Sequence, residues 1–332
     1  MFGTGIVHAA AYSSGGHDPL ETTRRALLDM ELDVIEGAWP ADGPARDELR
    51  NLLCWSGCDI VYAAGGVMRR QGIDPSAADP DARRVAIEKL KAIVETASWY
   101  GAHMLLVCAG PDTEPDRRSE GIQHLSEALR EVCRHAERIR PDNPLWITFE
   151  HFDRELDQKR LLGPTKEARA MIADIRRDHR NIGMTLDLSH IVQLGEDIEV
   201  AVAAAGELVI HAHVANCGLD RSFPTAFGDS HCRFGMPGGA VGLEDVIAFL
   251  TALIVNGYGS RPVPTRMPVI SVEMKTPEGE PPEVVLANGL RMLRLAAAHA
   301  DIRLSNRSAT PQPVAPIPSM TEAVQGIGFS NP

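Results

Sequence analysis

The chain has 332 residues and a formal net charge of −12, with 44% apolar and 23% charged side chains. That is ordinary globular composition, long enough to bury a large core without a disulfide or a structural metal. The acidic balance argues against a nucleic-acid binder, which draws on clustered Lys and Arg, and no run approaches the ~20 apolar residues of a membrane-spanning helix.

The opening MFGTGIVHAAAY lacks the basic region of a secretory signal. The cysteines (Cys54, Cys58, Cys108, Cys133, Cys217, Cys232) show no CxxC spacing. These features read as a soluble, cytoplasmic protein with reduced thiols.

In chain order, short apolar runs predict strands over 3–11, 32–39, 58–66, 103–110, 145–152, 182–190, 208–216 and 268–275. Between them lie segments such as PDARRVAIEKLKAIVETASWYGA and SEGIQHLSEALREVCRHAERI, with apolar residues at the i, i+3, i+4 spacing of a one-sided helix. Strict strand–helix alternation implies parallel strands with right-handed crossovers, and eight such units close into a barrel. No Gly-rich phosphate loop follows the first strand, which argues against a doubly wound sheet.

The expected fold is therefore α/β, a single (β/α)8 TIM barrel over residues 1–302. A long Gly- and Pro-rich loop (CGLDRSFPTAFGDSHCRFGMPGG) follows strand seven, and loops of that length usually carry function. From 303 to 332 the chain is polar and Pro-rich, an extended tail suited to docking on a partner subunit.

Function in such a barrel sits at the C-terminal strand ends. Strand five ends in Glu150, strand six in Asp187, strand seven in His213 and strand eight in Glu273. Hard carboxylates with one imidazole suit a single divalent ion, Mn2+ first and Mg2+ or Co2+ next, better than a thiol-rich zinc site. His211 shares His213's side of the strand but lies deeper, where a hydrogen-bonded core histidine is the default.

His190, in the turn leaving strand six, reads as a substrate ligand or proton carrier. His151 is the other candidate base, although alternation turns it away from Glu150. Arg221, Asp229 and His231 lie on the long loop, placed to close over substrate. Glu36, at the end of strand two, either binds a sugar hydroxyl or serves as a structural carboxylate. Lys159 and Arg160 read equally as substrate contacts or as a solvated helix start.

GMTLDLSH with Asp187 and His190, HAHVAN with His213, and the strands of Glu150 and Glu273 resemble the xylose-isomerase-like barrel superfamily over about residues 3–300. The resemblance implies that Glu150, Asp187, His213 and Glu273 bind one Mn- or Mg-type ion. It also brings in sugar isomerases, ketose 3-epimerases, inosose dehydratases and abasic-site endonucleases.

Asp229 and His231 resemble the endonucleases' DxH pair, but the early-strand histidines of those enzymes are missing. Ketose 3-epimerases carry an acidic residue and Asp-Arg soon after the strand-seven histidine. Here Asn216 stands there and Asp220-Arg221 comes later, which loosens that assignment.

EHFDRELDQKRLLGPT, after Glu150, is similar to a subgroup labelled sugar phosphate isomerase. That subgroup resembles the large subunits of bacterial C-glycoside deglycosidases, which eliminate an aromatic aglycone from a 3-keto sugar. The resemblance implies a small β-sandwich partner subunit and a higher oligomer.

Isomerase, epimerase and lyase share one step: a proton leaves the carbon beside a carbonyl, and a metal ion steadies the charge that develops. A positioned base contributes about 10²–10⁴-fold. The sequence reading puts the lyase on a 3-keto C-glycoside first and a sugar isomerase or epimerase as the alternative. A scaffold with a structural metal stands third. Glu150 and Glu273 belong to the catalytic set as ligands, with His190 or His151 as the base.

Overall fold

The computed structural model describes residues 2–13 and 16–308. Strands β1 (Gly3–Val7), β2 (Val34–Gly37), β3 (Asp59–Ala63), β4 (Met104–Cys108), β5 (Trp146–Glu150), β6 (Ile182–Asp187), β7 (Val209–Val214) and β8 (Val269–Val272) pair in parallel in chain order. β1 closes onto β8, so the expected (β/α)8 barrel is present.

Around it run α1 (His8–Ala11), α2 (Pro19–Ala26), α3 (Arg46–Ser56), α4 (Gly65–Arg70), α5 (Pro80–Trp99) and α6 (Arg118–Ile139). They are followed by α7 (Thr165–Ile175), α8 (Leu188–Gln193), α9 (Ile198–Ala205), α10 (Leu243–Val255) and α11 (Pro282–Ser308).

The strands are shorter than the apolar runs suggest. In the first run the chain leaves the sheet at His8, because HAAA is a helix-favouring stretch and forms α1. α11 continues past the expected domain limit at 302, as far as Ser308, and the rest of the expected tail lies outside the described residues.

Local signals explain the helices. In α5, Pro80 fills the first turn and the Asp79 carboxylate accepts from the Asp81 amide, while Ile87, Leu90, Val94 and Ala97 form one buried face. Leu90 and Val94 join Leu125, Leu129, Ile147 and Phe149 in one buried apolar core between helices and strands.

The barrel interior changes character along its axis. Its lower part is plugged by Val34, Val61, Met104, Ile210 and Val269 with Leu106. Above that plug the inward side chains are polar and buried: Glu36, Thr148, Thr185, His211 and Ser271. Thr148 and Thr185 hydroxyls bond across β5 and β6 at 2.6 Å. Gly5 completes the closure, since any side chain there would run into Ser271 on the neighbouring β8.

Strand alternation then sets the site. On β5 it sends Ile147 and Phe149 outward into the helix layer and leaves Thr148 and Glu150 facing in. The loop after β7 folds back over the barrel mouth, bridging Gly218 to both Gly228 and Gly239 and burying Cys217, Ala226, Cys232 and Phe234. No helix among the described residues is long and apolar enough to cross a membrane.

Candidate metal centre and substrate cavity

Glu150 closes β5, Asp187 closes β6 and pairs in register with His213 on β7, and Glu273 follows the last residue of β8. The four converge on one point. His213 Nδ1 lies 2.8 Å from Glu273 Oε2, 3.1 Å from Glu150 Oε1 and 3.8 Å from Asp187 Oδ2.

Asp187 has two tasks. Its Oδ1 accepts from the Ser189 amide at 2.6 Å and caps α8, while Oδ2 is buried without a hydrogen-bond partner. An unpartnered carboxylate oxygen at zero exposure is costly unless a cation faces it.

Glu36 reaches this cluster from the opposite side of the barrel. It bonds His211 Nε2 at 2.7 Å and His213 Nε2 at 3.1 Å, fully buried. In a neutral His213 ring, Glu36 accepting from Nε2 leaves Nδ1 as a bare lone pair aimed at three carboxylates. That arrangement is repulsive, so the pocket needs either an imidazolium or a metal cation.

Without a metal the ring takes the first form. Burial opposes its charge, but Glu36 and hydrogen bonds with Glu150 and Glu273 hold the His213 pKa well above its usual value. Burial likewise opposes Glu36, yet His211 and His213 keep its carboxyl far below the ordinary range. Three oxygen donors and one imidazole fit a divalent cation.

The two glutamates differ. Burial raises the Glu150 carboxyl against the pull of His213. Burial also opposes ionisation of Glu273, but His231, His213 and Lys275 bring its pKa down to about 2.

Beside them lies a second ionic cluster. Asp229 Oδ1 is 2.8 Å from His231 Nε2, and Asp229 Oδ2 is 2.8 Å from Lys275 Nζ and 3.3 Å from Arg69 Nη1. Burial opposes the Asp229 charge, but His231 and Lys275 hold its pKa well below normal. His231, at φ 41°, sits 3.6 Å from Glu273 Oε1 and links the clusters. A cavity of about 290 Å³ opens above both, running from Glu150, His213 and Glu273 across the tops of β1 to β3.

The family model described as xylose isomerase-like TIM barrel matches residues 24–296. The chain belongs to the xylose isomerase-like TIM barrel family. Comparison with the curated proteins finds no match.

Among solved structures, L-ribulose 3-epimerase superposes with a TM-score of 0.69 at 18% identity, covering 94% of this chain and 100% of that one. An IOLI protein with a bound zinc atom gives 0.68 at 18%, covering 90% and 99%. The E. coli 3-keto-D-glucoside 4-epimerase gives 0.64 at 15%, covering 89% and 99%. At these identities the likeness speaks to the fold alone.

Within this xylose isomerase-like barrel, the residues singled out from the sequence fall in different places. Glu150, Asp187, His213 and Glu273 are together. His190 is fully buried beside them, its ring tilted against Phe152 at a centroid distance of 4.0 Å, with Nε2 unpartnered and one ring nitrogen within 4.8 Å of Asp187 and His231 ligand atoms.

Asp229 and His231 line the cavity. Glu36 lies beneath it and holds histidines instead of facing a sugar. His151 points out of the barrel to Thr165 Oγ1 at 2.8 Å, and burial pushes its pKa down to about 3. Arg221 lies over the Phe227 ring at 4.5 Å and donates to the Leu156 carbonyl, away from the cavity lining. Lys159 and Arg160 are in the loop before α7, also outside that lining.

The cavity adds residues that the sequence reading passed over: Lys275, Arg69, Arg70, His8, Tyr12 and Trp39. Lys275 stands two residues after Glu273, so alternation could have placed it on the same side. His8 is hidden inside an apolar run. Burial drops its pKa to about 4, and it bonds Thr22 Oγ1 at 3.0 Å as a neutral ring.

Proposed function

We propose that the chain is a metal-dependent sugar isomerase or epimerase, moving a proton at the carbon beside the carbonyl of a keto-sugar. One observation carries the reading: Glu150 and Glu273, from strands on either side of His213, converge on its Nδ1 at 3.1 and 2.8 Å and line one sugar-sized cavity.

Glu150, Asp187, His213 and Glu273 would hold a divalent ion, which would supply Lewis-acid polarisation of the substrate carbonyl. Glu273, kept ionised by His231 and Lys275, takes the proton from carbon. Glu150, on the other side of His213, returns a proton from its own side. Return to the opposite face of the same carbon gives an epimer, and return to the neighbouring carbon gives an isomer. Glu36 fixes the His213 ring, and Asp229 holds His231 and Lys275 against Glu273.

Two of the similar structures, L-ribulose 3-epimerase and 3-keto-D-glucoside 4-epimerase, are enzymes whose names fit such chemistry. Mn2+ is our choice of ion for an oxygen-rich site, and the cytoplasm our choice of compartment.

A second reading is elimination from a 3-keto C-glycoside, with a β-sandwich partner subunit on which the C-terminal tail docks. It is favoured by the aromatic wall of the cavity, where Tyr12 and Trp39 flank His8 with ring centroids 4.8 and 6.4 Å from it. An aglycone ring can stack there.

The test is to incubate the Mn2+-loaded chain with a panel of ketoses, a 3-keto glucoside and a 3-keto C-aryl glycoside, reading products by NMR. Epimeric or isomeric sugars support the proposal. Free aglycone supports the second reading, and unchanged substrates throughout sink both.

A further inference from the structure

We propose that the substrate's non-reacting end carries an anionic group, a phosphate or a carboxylate, held by Arg69 and Arg70. The inference deepens the proposed keto-sugar reading and rests on it for which end reacts. The candidate metal ligands come from β5 to β8, but the cavity extends over β1 to β3, where Gly65, Gly66, Arg69 and Arg70 of α4 line it.

Arg70 makes no ion pair or hydrogen bond among the described residues. Arg69 commits only Nη1, to Gln158 Oε1 at 3.1 Å and Asp229 Oδ2 at 3.3 Å. Of the acidic residues lining the cavity, Glu150 and Glu273 lie across it and are engaged with His213, while Asp229 reaches Arg69 but is shared with His231 and Lys275. Arg70, which no acidic side chain among the described residues pairs, therefore leaves the rim over β3 positive in a chain whose net charge is −12.

The backbone leaves room for a ligand there. A side chain at Gly65 would meet only Leu106, at 3.8 Å, and one at Gly66 would press on Arg70 Nη1 at 3.2 Å. Glycine at both positions lets a group approach the guanidinium forks, whose geometry matches carboxylate and phosphate oxygens. A cationic rim also draws anions toward the mouth.

The experiment is calorimetric binding of D-fructose, D-fructose 6-phosphate and D-fructuronate to the Mn2+-loaded chain. Wild type, Arg70→Ala and the double variant Arg69→Gln/Arg70→Ala are compared, with folding checked by circular dichroism. One of the two anionic sugars should bind about 10- to 100-fold tighter than fructose to wild type, and which one identifies the anion. The advantage should shrink in the single variant and vanish in the double.

Equal affinity for all three sugars in wild type overturns the inference. So does an advantage that survives both substitutions, which would place the anion on the metal centre. Deuterium exchange from D2O in the same samples reads the parent proposal separately. Arginine-dependent binding without exchange of any sugar leaves the anion site standing and removes the isomerase reading. Exchange without anion preference does the reverse.

Discussion

Replacing Glu36 by Gln tests whether the metal centre is organised from below. Glu36 is fully buried and accepts from two imidazoles, at 2.7 Å from His211 and 3.1 Å from His213. The amide has almost the same shape but offers only one acceptor oxygen, and its NH2 then faces the second ring N–H. One buried donor loses its acceptor, at about 1–3 kcal/mol, and His213 loses the charge that fixes its orientation.

Partners of this kind usually contribute about 10–100-fold to metal affinity. The expected outcome is a folded variant whose Mn2+ dissociation constant rises by that factor in titration calorimetry. The deficit should be larger at pH 9 than at pH 7. In wild type a proton competes with the metal for His213, and without Glu36 that competition weakens. Unchanged Mn2+ affinity at both pH values would refute the role given to Glu36.

Wild-type Mn2+ affinity should itself depend on pH. His213 has a raised pKa in the metal-free chain, so affinity is full above that pKa and falls as pH drops through it; a flat profile would count against His213 as a ligand. Mn2+ at a hundredfold excess over its dissociation constant should raise the melting temperature by about 4 °C for a chain of this size, read by calorimetry. Glu273→Gln should lower kcat/KM by at least about 10²-fold at saturating Mn2+ while leaving a cooperative melt. His151→Leu should lower the melting temperature, because it strips Thr165 of a buried partner, yet keep kcat within about threefold.

The fold was legible because each strand is a short apolar run bounded by helical periodicity, and strand ends mark the rim of any such barrel. That same logic exposed Glu150, Asp187, His213 and Glu273. It set Glu36 apart from them but left open whether this strand-end carboxylate meets a sugar or serves the structure. Only the closure of β1 on β8 and the tilt of the strands bring it beneath His213, across the barrel.

Arg221 misled for the opposite reason. A cation in a long loop reads as a lid residue, but its guanidinium packs on Phe227 within the loop's own fold. Arg69 and Arg70 end a short helix whose sequence gives no sign of where its cationic end points. Only the packing of α4 against the cavity supplies that.

The most direct test of the central claim is deuterium uptake. The Mn2+-loaded chain is incubated with ketoses and a 3-keto glucoside in D2O, and the sugars are weighed by mass spectrometry. The account predicts one deuterium on the carbon beside the carbonyl, lost when EDTA removes the metal and lost in Glu273→Gln. Converted sugar without deuterium, or equal uptake by the metal-free chain, would contradict it.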